Sequence, residues 1–214
     1  MTEQMTETDA GTLRWTVLVP LRAMPTAKSR LAATIAPELF ERVVEAIRAD
    51  TLAAVRASAA VARVVVVSDQ AGDGVDLVQR SPGLNGALRD GAAHSAREWP
   101  GDGVAALVGD LPALRTAELT AALAAAAGHP SAFVADADGT GTTLLAARPG
   151  TRLAPGFGLG SAARHAQTAA ALGAGPGLRQ DVDTADDLAG AIRLGVGPAT
   201  AAALGVDRVV TRSP

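Results

Sequence analysis

The chain has 214 residues, 48% of them hydrophobic and 2% aromatic, with a formal net charge of -3 and no cysteine. That length suits one domain with a Val, Leu, Ile and Ala core, and the lack of a basic run excludes a nucleic-acid-binding surface. Without cysteine there are no disulfides, thiolate zinc sites or cysteine nucleophiles, so carboxylates are left as ligands for a hard cation such as Mg2+.

Residues 1–13, MTEQMTETDAGTL, are polar and acidic with no apolar core of a signal peptide, and read as a disordered tail before a domain spanning 14–214. No apolar run approaches the roughly 20 residues of a membrane span, so a soluble cytoplasmic protein without membrane partners is expected.

Thr16 to Val19 forms a short apolar run ending at Pro20, and Arg63 to Val67 ends at Ser68-Asp69. Val104 to Val108 ends at Gly109-Asp110, and Ala132 to Ala135 ends at Asp136. Each reads as a buried strand followed by a polar loop. Helical candidates lie between them at Glu38 to Ala57, Leu84 to Glu98 and Thr116 to Ala127. Strand and helix alternation predicts a mostly parallel sheet covered on both faces, with ligands beyond the carboxyl ends of its strands.

After residue 136 the chain becomes rich in Gly and Thr, which marks a functional or disordered connection. A helix from Ser161 to Leu172, a strand from Leu178 to Val182, a helix from Thr184 to Leu194 and a C-terminal edge strand in VDRVVTR complete the expected elements.

The loop after the first strand holds Lys28, the chain's single lysine among 19 basic residues, with Arg30 close by. A flexible ammonium at that place suits a polyphosphate, although a solvated surface lysine accounts for it as well. Neither GxGxxG nor GxxxxGK[ST] follows this strand. GFGLGS at 156–161 leads into a helix whose amides suit an anion, or Ser161 is a plain N-cap.

Asp110 and Asp183 sit at separate strand ends and together suit a metal ion bridging phosphates. A cap role for Asp183 or Thr184 is the alternative. His94, His129 and His165 show no metal-ligand spacing, and only His165 lies near the GFGLGS loop. No serine is flanked as a nucleophile elbow requires.

In their order, VPLRAMPTAKSRL, SDQ, GLNGAL, VGDLP, GTGTTLL, FGLGS and DVDT resemble the phosphoenolpyruvate/2-phospho-L-lactate guanylyltransferases of coenzyme F-420 biosynthesis. The resemblance spans about residues 14 to 210. It implies a single-domain three-layer α/β/α nucleotidyltransferase of the glycosyltransferase-A-like type. It further implies condensation of GTP with phosphoenolpyruvate to enolpyruvyl-diphospho-5'-guanosine and pyrophosphate, the product passing to a downstream transferase. 2-Phospho-L-lactate is the alternative acceptor, a sugar phosphate or molybdopterin a more distant one, and a homodimer is left open.

Carried over by motif, Lys28, Asp110 and Asp183 would be catalytic, with Asp110 and Asp183 holding Mg2+. Thr143, Gly158 and Ser161 would bind phosphoenolpyruvate. Leu21, Lys28, Arg30, Ser68, Asn85, Gly86 and Gly109 would bind the nucleotide. A phosphate acceptor is already anionic near neutral pH, so the missing Cys and His constellations agree with such a reaction.

Overall fold

The computed structural model describes residues 13–21, 29–32 and 35–206. Residues 1–12 of the tail expected over 1–13, Lys28 with its loop, and the C-terminal strand beyond Val206 lie outside the described residues.

Among the described residues seven strands form one sheet: β1 (Trp15–Leu21), β2 (Val61–Ser68), β3 (Leu77–Val78), β4 (Gly103–Leu107), β5 (Ser131–Ala135), β6 (Thr142–Ala147) and β7 (Ala170–Ala171). Their order is β3-β2-β1-β4-β6-β5-β7. Only β6 runs against the rest, antiparallel to both β4 and β5.

Alternation along the strands sends successive side chains to opposite faces. Val17 and Val19 join Leu119 and Leu123 of α4 (Thr116–Ala126) in one cluster. Leu18, Val65 and Val67 join Ala87 and Leu88 of α3 (Leu84–Glu98) in another, on the opposite face. Three layers result, packed with Val, Leu and Ala as the aromatic-poor composition requires.

A third cluster lies outside these layers, where α2 (Pro37–Arg56) presents Phe40, Val43, Val44 and Ile47 to α7 (Ala185–Leu194) and α8 (Pro198–Leu204). Asp50 of α2 is 6% exposed and caps α8: Ala199 N–H donates to Oδ1 at 3.0 Å and Thr200 N–H to Oδ2 at 2.7 Å. A carboxylate at a helix N-terminus satisfies amides that have no intrahelical acceptor.

Four features depart from the expected elements. Pro20 lies inside β1, paired with Val67, because β4 stops accompanying β1 at Leu18 and no ladder bond is required there. Residues 142–147 form β6; DADGTG is its hairpin turn, held by the Asp136 carboxylate accepting from Thr140 N–H at 2.9 Å and Gly141 N–H at 2.7 Å.

The helix from Ser161 ends at His165, as α5 (Ser161–His165), and the chain then extends to place β7 beside β5. Residues 178–182 are no strand: Pro176 opens the short α6 (Pro176–Arg179) and a single bond from Val182 N–H to the Asp110 carbonyl follows at 3.2 Å.

Asp50→Ala is expected to lower unfolding stability by about 1–2 kcal/mol, read by urea denaturation, through loss of the α8 cap.

Candidate functional site

The carboxyl ends of β1, β2, β4 and β5 and the start of β6 lie along one edge of the sheet. The chain turns from β1 toward β2 and β3 on one side and β4 on the other, which opens a crevice at the β1/β4 switch.

Asp110 stands there, three residues past β4, after Gly109. A Cβ on Gly109 would lie 2.7 Å from Leu21 Cδ2, so this glycine lets the turn rest against the Leu21 side chain at the end of β1. Thr51 Oγ1 of α2 accepts from Leu111 N–H at 3.0 Å and fixes the turn from behind.

Asp183 follows the segment bonded to the Asp110 carbonyl. Capping of α7 falls to Thr184 and Asp187 instead: Thr184 Oγ1 accepts from Asp187 N–H at 3.2 Å, and the Asp187 carboxylate accepts from Thr184 N–H at 2.8 Å. Asp183 N–H also donates to the Asp187 carboxylate at 3.1 Å, and the residue is exposed at the edge.

Two further carboxylates join this cluster, Asp136 at the end of β5 and Asp181. Burial, and then the Asp110, Asp183 and Asp136 charges, push the Asp181 carboxyl up to about 7. Cations flank the group. Arg48 of α2 is half-buried, with its pKa drawn down by burial and held up by Asp110 and Glu45. Arg179 donates through Nη2 to the Asp136 carbonyl at 2.7 Å and through Nε to the Ala135 carbonyl at 3.1 Å.

Among the described residues no three His, Cys, Asp or Glu side chains are arranged to hold a metal ion by themselves. A site with one or two carboxylates and open positions fits Mg2+, which keeps water and takes substrate phosphates as further ligands. The donor set, oxygen only and overcharged enough to raise Asp181, suits such a cation.

On the β6 side lies Thr143. The β5/β6 register shifts so that Val134 faces Leu144 and Ala135 faces Thr142, leaving Thr143 as the extra residue of a bulge. Thr143 is fully buried, and its Oγ1 has no hydrogen-bond partner among the described residues. A buried hydroxyl left in this state costs stability unless a ligand engages it.

Gly158, with φ 119, and Ser161, 1% exposed, belong to the loop that faces this side. The loop is clamped twice. Asn85 of α3 accepts from Phe157 N–H at 2.8 Å and donates to the Phe157 carbonyl at 3.0 Å. His165 Nε2 accepts from Gly156 N–H at 2.9 Å, so Nδ1 carries the proton and donates to Thr142 Oγ1 at 2.9 Å. α5 is only five residues long, so the loop owes its shape to these clamps more than to a helix dipole.

The remaining expected residues fall on the other side. Leu21 ends β1, and Ser68 ends β2, buried, with Oγ 3.4 Å from Asp69 Oδ1. Gly86 is buried in the first turn of α3 near the Ser81 carbonyl. Arg30 falls in α1 (Ser29–Ala32), its side chain outside the described residues. Sequence reasoning missed Arg48, Arg179 and Asp181. The last had a signal in the alternation of DVD, while the arginines carry no local pattern.

Burial first, then Arg164, draws the His165 imidazole below its ordinary 6.5. A depressed pKa contributes stability that is present above 6.5 and is lost as pH falls through the folded value. Melting curves taken from neutral to acidic pH should therefore show a steeper acid loss in the wild type than in His165→Gln.

A family model of CofC-like guanylyl transferases matches residues 15–200. The phosphoenolpyruvate guanylyltransferase of Geodermatophilus obscurus is 49% identical over 207 residues, covering 89% of this chain and 94% of that protein. The fold is similar to that of 4-diphosphocytidyl-2C-methyl-D-erythritol synthase, with TM-score 0.57, 14% identity and coverage of 85% of this chain and 99% of that one. It is also similar to Rv0371C from Mycobacterium tuberculosis H37Rv, solved as a complex with manganese, with TM-score 0.53, 22% identity and coverage of 85% and 99%. With a match over most of its length and a relative this similar along nearly all of both chains, the chain belongs to the CofC-like guanylyl transferase family.

Proposed function

We propose that the chain is a phosphoenolpyruvate guanylyltransferase, joining GTP and phosphoenolpyruvate as enolpyruvyl-diphospho-5'-guanosine and releasing pyrophosphate. The observation that carries this is the placement of Asp110 at the β1/β4 switch between two flanks: a cleft at the ends of β1 and β2, and the buried, unpartnered Thr143 hydroxyl with its clamped loop. The name of the Geodermatophilus obscurus relative supports the same acceptor.

A phosphate oxygen of the acceptor attacks the α-phosphorus of GTP, and the bond from that phosphorus to the bridging oxygen breaks, the pair leaving with pyrophosphate. The acceptor phosphate is anionic already, so no side chain need take a proton. The protein's task is alignment and charge neutralisation.

Asp110 and Asp183 would hold a divalent cation such as Mg2+, which supplies charge neutralisation across the phosphates when bound. Thr143, Gly158 and Ser161 would engage the acceptor. Leu21, Ser68 and Gly109 would line the nucleotide, and Lys28 and Arg30 would meet its phosphates. Asn85 and Gly86 would lie along the guanosine, with the Asn85 amide also bonding Phe157 at both ends. The product would pass to a downstream transferase of coenzyme F-420 biosynthesis.

Parallel incubations of GTP with phosphoenolpyruvate and with 2-phospho-L-lactate, followed by mass spectrometry, should yield the enolpyruvyl product; a phospholactate product alone would overturn the acceptor. Asp183→Asn should reduce pyrophosphate release by about 100-fold or more while the melting temperature holds.

Thr143→Val should raise KM for phosphoenolpyruvate by roughly tenfold and leave the melting temperature equal or higher, since it removes a buried hydroxyl with no hydrogen-bond partner among the described residues.

A further inference from the structure

A cleft of about 120 Å3 opens where β1 and β2 end, walled by Pro20, Leu21, Val67 and Leu84 with Asp69 and Gln79 at its polar side. Leu21 ties it to the reacting centre, because that side chain touches the Gly109 turn that carries Asp110. A nucleoside whose phosphate lies at Asp110 would therefore place its base here. Gln79 is fixed as part of the wall: its N–H donates to the Ser68 carbonyl at 2.8 Å and its Nε2 to the Ser81 carbonyl at 2.8 Å.

We propose that Asp69 selects guanine in this cleft, its carboxylate accepting from the N1–H and the 2-amino group of the base. This rests on the guanylyltransferase reading above. An ionised carboxylate is an acceptor only, and two oxygens side by side match two adjacent donors.

Guanine presents such a pair on one edge. Adenine places the N1 lone pair there and cytosine the N3 lone pair, and both repel the carboxylate. Uracil presents one N–H between two carbonyl oxygens, which repel it as well. The side chains of Pro20, Leu21, Val67 and Leu84 would take the ring faces, and the polar remainder of the lining would meet the base edges. Asp69 is exposed at the cleft mouth, so its substitution leaves the core untouched.

The experiment is calorimetric binding of GTP, ITP and XTP, in MgCl2 and without acceptor, to the wild type and to Asp69→Asn. Inosine lacks the 2-amino group, so the wild type should bind ITP roughly 10- to 100-fold more weakly than GTP. Asp69→Asn should lose that preference and gain affinity for XTP, whose 2-oxygen accepts from the new amide.

Equal wild-type affinity for GTP and ITP, or an unchanged GTP preference in Asp69→Asn, overturns the assignment. A parallel assay of pyrophosphate release with phosphoenolpyruvate separates the two levels. Turnover with equal GTP and ITP affinity sinks the Asp69 role alone, and GTP-selective binding lost in Asp69→Asn upholds it whatever the acceptor proves to be.

Discussion

Like charges crowded at one edge of the sheet are the constraint on which the site depends. Asp110, Asp136 and Asp183 sit near enough to Asp181 to help hold its carboxyl at about 7, a penalty that grows as solvent is excluded. The topology brings Asp110 and Asp136 to one edge, because β4 and β5 share a direction, and the bond from Val182 N–H to the Asp110 carbonyl sets Asp181 and Asp183 beside them. Arg48 of α2 offsets part of it at Asp110, and Arg179 of α6 bonds the Asp136 carbonyl beside the group.

The reversed strand divides this edge into two structurally different sides. Parallel β1, β2 and β3 leave a cleft at their ends with both polar and apolar lining, whereas antiparallel β6 brings its first residues, rather than its last, to the same edge. The bulge at Thr143 then places an extra residue there without disturbing the Leu144 to Ala147 ladder. Opposite it, the glycine-rich loop has little regular structure and is shaped by side chains from α3 and α5. Flexible sequence thus becomes a defined wall through contacts as far as 72 residues away.

Much of the fold was legible in the chain because its signals are local. The apolar runs before Ser68, Gly109 and Asp136, and the helix over 84–98, needed only periodicity and boundary residues. Elements whose state is decided by neighbours were read less well. TTLLAA has no alternation, since β6 is buried on both faces, and its strand state follows from pairing with β4 and β5. Leu178 to Val182 has strand-like composition, yet Pro176 and the reach to the Asp110 carbonyl turn it.

Sequence by itself determined the class of chemistry: oxygen ligands only, no nucleophilic cysteine, strand-end carboxylates, and an order of short motifs that marks the family. These depend on residue type and spacing, which need no folding to be read. Only the tertiary structure decided that Asn85 and His165 hold the glycine-rich loop, that Thr143 is buried on a bulge, that Arg48 faces Asp110, and that Asp69 borders a cleft at the ends of β1 and β2. Each of these is a meeting of groups distant in the chain, and a hydrogen bond or a charge interaction exists only once packing has fixed the distance between them.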